Sequence, residues 1–248
     1  MINELIVTWQ NPLTRSWIPI GRLRYKESKY YFNYTIAAKQ EKSFVTFGPM
    51  KNLDDSYESD ELFPVFRNRL LPKSRPEYND YLDWLNVKED KLAPFEELAR
   101  TSGTKATDSL QLFMTPEETN GMYEVTFFSH GIRHLHPSNI DRVGHLNYGN
   151  ELYLMEDIQN RFDPDALVLR TDEPTTIMGY CPRFLVHDFK QLIIKNGADK
   201  VHVSVVKVNL NSPSQFRLLC KFRTAWPCNF VPFRDIEFQT PENSLEEC

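Results

Sequence analysis

Residues 159–169, QNRFDPDALVL, place an amide, an aromatic ring and two carboxylates (Asn160, Phe162, Asp163 and Asp165) around Pro164. Asn, Asp and Pro are ordinary turn residues, and Asn160 or Asp163 can bond nearby backbone amides. The same crowding also suits the rim of a site that holds a ligand. Asp163 and Asp165 form an Asp-x-Asp pair, but the glycine and downstream Glu of a helix-loop-helix calcium site do not follow. As a hydrolytic pair they lack a marked nucleophile or base. His130, His134 and His136 invite a metal, and His134 and His136 would share one face of a strand. No supporting carboxylate pattern accompanies them, so no metal is expected.

Other chemistries leave no trace. The chain has no Gly-x-Gly-x-x-Gly, no P-loop, no Gly-x-Ser-x-Gly and no Asp-Phe-Gly, and only nine glycines. The reading is a non-catalytic protein without a cofactor. Four scattered cysteines (Cys181, Cys220, Cys228, Cys248) make neither a zinc site nor a disulfide framework. The net charge of −5 argues against coating duplex DNA through many phosphates, and leaves room for a local basic groove. The N-terminal residues carry no basic stretch followed by an apolar one, and no apolar run is long enough to span a membrane. A cytoplasmic, reduced protein is expected.

The elements that must position these residues fall into two sets. In the first, 4–9, 17–23, 29–36 and 108–114 are rich in β-branched and aromatic residues and predict strands, with Gly21 permitting a bulge or a close approach. Helical spacing predicts helices over 59–72, capped by Ser59 or Asp60, over 75–87, and over 93–103. The polar stretch 115–121 is the candidate boundary. Beyond it short alternating strands are expected at 122–129, 151–156, 166–170, 176–180, 200–210 and 216–224. One helix, 182–197, opens at Pro182 and closes at Gly197. Six strands with one late helix suggest a small closed barrel. The proline-containing, acidic tail reads as a loose wrap or as disorder.

Three stretches of the second set, FFSHGIRHLHP (127–137), LYLMEDIQNRFDPDALVL (152–169) and MGYCPRFL (178–185), together resemble the HIRAN domain. The resemblance spans about 122–224. It rests on Gly131-Ile132-Arg133-His134, on Glu156 or Asp157 with Asn160, Phe162, Asp163 and Ala166, and on Gly179-Tyr180-Cys181-Pro182-Arg183. It implies a modified OB-like barrel that holds the 3′ end of single-stranded DNA. By that resemblance Asp163 accepts the 3′-hydroxyl, Phe162 is a stacking platform, Arg133 and Arg183 contact phosphate, and Tyr180 lies beside the end. His134 stands where DNA-binding relatives carry Tyr and offers a smaller ring to stack on. Ala166, Gly179 and Pro182 read as packing and helix-start positions.

The first set resembles the N-terminal subdomain of HipA-type kinases, through LIVTWQN, IPIGRL, YYFNYT and the Asn68-Arg69-Leu70-Leu71-Pro72 ending of an aromatic helix. The kinase core is absent. This resemblance implies that residues 1–118 dock a HipA-like kinase or related toxin, with Trp9 and Trp17 on the partner face. The expected fold class is therefore α+β in two domains: a small sheet-and-helix HipA-N-like module (1–118), an OB-like HIRAN barrel (122–224), and a tail (225–248). Joined, the two resemblances imply a DNA-end sensor in stress or phage defence. The alternative is a pure protein-interaction, antitoxin-like module whose barrel no longer binds DNA.

Overall fold

The computed structural model describes residues 4–88, 93–105 and 109–241. The chain is mixed α and β and divides into two compact units. One takes the chain up to Leu82, Val87–Thr115 and the segment from Val231; the other takes Asp83–Asn86 and Pro116–Phe230.

In the first unit β1 (Glu4–Gln10), β2 (Trp17–Lys26), β3 (Lys29–Tyr34), β4 (Ser56–Ser59) and β5 (Leu110–Met114) form an antiparallel sheet in the order β4-β3-β2-β1-β5. Gly21 lies against the Phe32 ring, where a Cβ would come within 2.4 Å of it. This is the close approach its place in the strand suggested. Leu5, Val7, Ile20, Leu23, Phe32, Phe66 and Phe95 fill the core. Alternating apolar side chains on β1 to β3 supply one wall of that core and the helices the other.

The helices depart from the expected pattern. A short α1 (Ile36–Gln40) follows β3, capped by Thr35, whose Oγ1 accepts from Ala38 N and donates to Pro19 O. The helix expected over 59–72 is replaced by the end of β4 and a single turn, α2 (Pro64–Arg67), opened by Phe63 and not by Ser59 or Asp60. Pro64 lacks an N–H and fits only a first turn, so the chain cannot be helical through it. Leu62 and Phe66 are nonetheless buried and Leu70 packs against the core. The apolar spacing was real but is met by irregular backbone. Arg69 donates to Val65 O and Gly103 O, and Leu71 N donates to the buried Glu97 carboxylate, fixing the residues after α2. Then come α3 (Tyr78–Leu85) and α4 (Ala93–Thr101); Tyr78, Tyr81, Leu82 and Leu85 are buried, as their spacing predicts. The expected start of the fifth strand at residue 108 lies outside the described residues.

The second unit holds β6 (Met122–Phe128), α5 (Pro137–Gly144), β7 (Glu151–Glu156), β8 (Leu167–Arg170), β9 (Ile177–Tyr180), α6 (Arg183–Asn196), β10 (His202–Val208) and β11 (Leu218–Ala225). Its antiparallel sheet runs β6-β11-β10-β7-β8-β9. The sheet curls until its edges meet: His130, just beyond β6, and Tyr180, at the end of β9, exchange two backbone hydrogen bonds of 2.9 Å. Tyr123, Phe127, Phe189 and Phe222 fill the interior, with Phe189 of α6 stacked on Phe222 of β11 at 3.9 Å. Helix α6 ends at Gly197 (φ 91°), as expected, and Pro182 occupies its N-cap.

His134 and His136 do not share a strand face. Residues 132–134 form a 3-10 turn, and His136 caps α5, its ring nitrogen accepting from Ser138 N. Pro137 forces that change, because it suits a first helical turn and not a strand interior. The described part of the tail is also packed. Trp226 stacks near Tyr123, Phe233 lies 5.1 Å from Phe113, and backbone at Phe238 and Gln239 bonds Arg22 and Ile36. Residues 242–248, with Cys248, lie outside the described residues.

Candidate nucleic-acid interface

The β7–β8 connection, residues 157–166, is a closed and heavily bonded turn. Asp157 N donates to Ala166 O at 3.0 Å and Ala166 N to Asp163 O at 3.2 Å. Asn160 organises the interior: its Oδ1 accepts from both Phe162 N and Asp163 N at 3.0 Å, an Asx-type turn. Its Nδ2 donates to Asp157 Oδ2, and the Tyr180 hydroxyl donates to that same oxygen, each at 3.0 Å. Burial, followed by the Asp157 carboxylate, pushes the Tyr180 pKa up, so the phenol remains the donor.

The turn projects Phe162 away from the protein, the residue being 93% exposed. Beside it the Asp163 carboxylate is 18% exposed. Its Oδ1 accepts from Asp165 N at 3.1 Å, and its Oδ2 lies 3.4 Å from Arg183 Nε. That ion pair is too long for a good hydrogen bond, which leaves Oδ2 lone pairs for a hydroxyl donor. Lys190 ties both flanks of the turn to α6, its Nζ lying 3.0 Å from Asp165 and 3.4 Å from Glu156.

The Gly131 loop reaches the same place through the seam that closes the sheet. Gly131 sits at φ 76°, and a Cβ there would come 3.1 Å from the Tyr180 ring. Gly179, at φ 121°, is more constrained still: a Cβ would lie 2.0 Å from Ser129 Oγ and 2.7 Å from His130 O. Two glycines thus let the Gly131 loop and β9 touch, and Tyr180 connects both to the Asp157–Asn160 network. Arg133 and His134 follow at the surface, where Arg133 Nε donates to His134 Nε2 at 2.9 Å.

Phe162, Asp163, Tyr180 and Arg183 are therefore joined through one network, and the loop bearing Arg133 and His134 adjoins it. Ala166 and Gly179 are buried packing positions. Trp9 and Trp17 lie on neighbouring β-strands at one end of the first sheet. Both are half-buried, and Trp9 packs edge-on against Phe44. Lys190 was not singled out from the sequence. Its signal is spacing: it lies seven residues after Arg183, so the two share a face of α6, and both reach the turn. Among the described residues no group of three or more His, Cys, Asp or Glu is placed to hold a metal ion, and no helix is long and apolar enough to cross a membrane.

No family model matches the chain, and no curated protein matches it. Two solved structures are similar to it over part of its length. A crystal structure of a protein from Lactobacillus plantarum is 17% identical over 42% of this chain and 97% of that chain, with a TM-score of 0.34. The crystal structure of the HIRAN domain of human HLTF is 15% identical over 43% of this chain and 81% of that chain, with a TM-score of 0.31.

Proposed function

We propose that the second unit binds the free 3′ end of single-stranded DNA at the 157–166 turn. The observation that carries this reading is a fully exposed aromatic ring on a braced turn, flanked by a carboxylate with a free lone pair and by an arginine. A ring exposed on a flexible loop would lose conformational freedom on binding; here the Asn160 and Asp157 bonds have already fixed the backbone beneath it. The terminal base stacks on Phe162. The 3′-hydroxyl donates to Asp163 Oδ2, and Arg183 and Arg133 take the adjoining phosphate. An internal phosphodiester or a 3′-phosphate has no proton to donate there and sets a second negative charge beside Asp163, so it is rejected twice over.

The first unit is read as a docking module for a HipA-type kinase or toxin, on the sequence motifs of residues 1–118, and the whole chain as a non-catalytic sensor of stress or phage attack. The alternative, a protein-interaction module without DNA binding, draws on the Arg183–Asp163 ion pair, in which each charge offsets the other, and on the net charge of −5.

Fluorescence anisotropy with the full chain tests the DNA reading, using one oligonucleotide with a free and with a blocked 3′-hydroxyl. The free end is expected to bind more tightly, and Asp163→Ala to abolish the difference. Equal binding of both ends by the unaltered chain would sink the reading. Failure to bind any oligonucleotide would favour the alternative.

A further inference from the structure

Beside the turn lies a cavity of about 510 Å³ that the end-binding scheme does not use. Its origin is a split in the sheet. Strand β10 pairs with β7 only at Glu151 and Leu152, so from Tyr153 onward β7 has β8 on one side and no strand on the other. The C-terminal half of α6 and residues 198–203 stand back from that free edge. Leu152, Leu154, Ile193 and Val203 line the space, and its size falls within the range of small-ligand pockets.

The mouth carries the groups that suit a nucleotide. Tyr153 is 39% exposed, with the Arg170 guanidinium 5.1 Å from its ring centroid, and Ile194, also on the lining, is 82% exposed. Lys190 also lines the cavity, and it is the residue bonded to Asp165 of the turn. The cavity and the proposed end site are thus continuous through one side chain. Glu151, Glu156 and Asp199 face Lys190 and Arg170 on the lining, so with His202 neutral the cavity carries a net charge of about −1. An occupant held here is held by stacking and burial more than by charge.

We infer that this cavity is a second base site, which takes the base of the nucleotide next to the 3′-terminal one. The inference rests on the end-binding reading above. With the terminal base on Phe162, the strand passes Lys190, whose ammonium meets the intervening phosphate. The next base then enters between Tyr153 and Ile194, with Arg170 backing the Tyr153 ring. The site would accept any base, because its walls offer faces and not a hydrogen-bond code. Its affinity would change only shallowly with salt, because few counterions are displaced.

The test uses the full chain and 3′-hydroxyl tetranucleotides, intact or abasic at the second position from the 3′ end, read by anisotropy. Loss of that base is expected to weaken binding about tenfold, within the range for one stacked base. The Tyr153→Ala and Ile194→Glu variants, altered at exposed positions, are expected to bind intact and abasic strands alike while still preferring a free 3′-hydroxyl. Equal affinity of the unaltered chain for intact and abasic strands, with the 3′-hydroxyl preference retained, overturns the second base site and leaves end binding standing. Absence of any 3′-hydroxyl preference overturns both.

Discussion

Replacing Phe162 by alanine should leave the fold unchanged and weaken DNA binding sharply. Full burial of a Phe side chain stabilises by about 1.5–3 kcal/mol. Phe162 is 93% exposed, so the remaining 7% corresponds to roughly 0.1–0.2 kcal/mol. That is a shift in Tm of about 1 °C or less for a domain of this size. A stacked base is worth about 1–3 kcal/mol, or roughly a five- to 150-fold increase in Kd. The two numbers differ by an order of magnitude, so one variant separates packing from binding. Thermal unfolding by circular dichroism and anisotropy with a 3′-hydroxyl oligonucleotide, both at the same salt concentration, give both values from one preparation. Phe162→Tyr keeps the ring and should restore most of the affinity. A Tm loss of about 4 °C or more would mean that the ring is packed in solution. Unchanged affinity would mean that it is not a platform, and either result overturns the role assigned to Phe162.

Tyr180→Phe removes one of the two donors to Asp157 Oδ2 and should cost about 1 kcal/mol of stability and a few-fold in end affinity, checked by urea unfolding and anisotropy. Gly179→Ala sets a Cβ against Ser129 Oγ and His130 O at a positive φ and should destabilise the second unit by about 2–4 kcal/mol; the urea midpoint should fall with an unchanged slope. In the first unit, burial raises the Glu97 pKa above 4.5, against the opposing bonds from Leu71 N and Tyr81. The folded state therefore holds the proton more tightly than the unfolded chain. Glu97's contribution to stability is greatest below pH 4.5 and declines as pH rises from there through the folded-state pKa, and Glu97→Gln should remove that part of the slope in urea titrations across pH.

Much of the second unit was legible because its signals are local. Alternation marks β6 to β11, Gly197 marks the end of α6, and Asn160 and Pro164 mark a turn. Phe162, an aromatic residue where a turn needs none, singles the turn out as the candidate site. The His130–Tyr180 closure, by contrast, pairs residues fifty apart through backbone atoms, which no side-chain pattern records. The missing helix over 59–72 was misread because Leu62, Phe66 and Leu70 keep a helical period while Pro64 forbids the backbone. Lys190 was passed over because its partners, Asp165 and Glu156, meet it only after α6 has folded back onto the turn. The cavity was not legible at all, since it comes from strands that part.

The His130–Tyr180 seam joins the edges of the sheet with only two backbone hydrogen bonds, while β6 and β11 pair over seven residues. At about 1 kcal/mol net per bond, these two bonds and the Ser129 Oγ–Met178 O bond beside them make parting the seam far cheaper than unfolding the unit. The amides of His130 and Tyr180 should therefore exchange with solvent faster than those of the neighbouring strands. A ligand gripping both the Gly131 loop and the 157–166 turn would close the barrel like a clasp. Slower exchange at those two amides on adding a 3′-ended strand would then report occupancy without any label on the DNA.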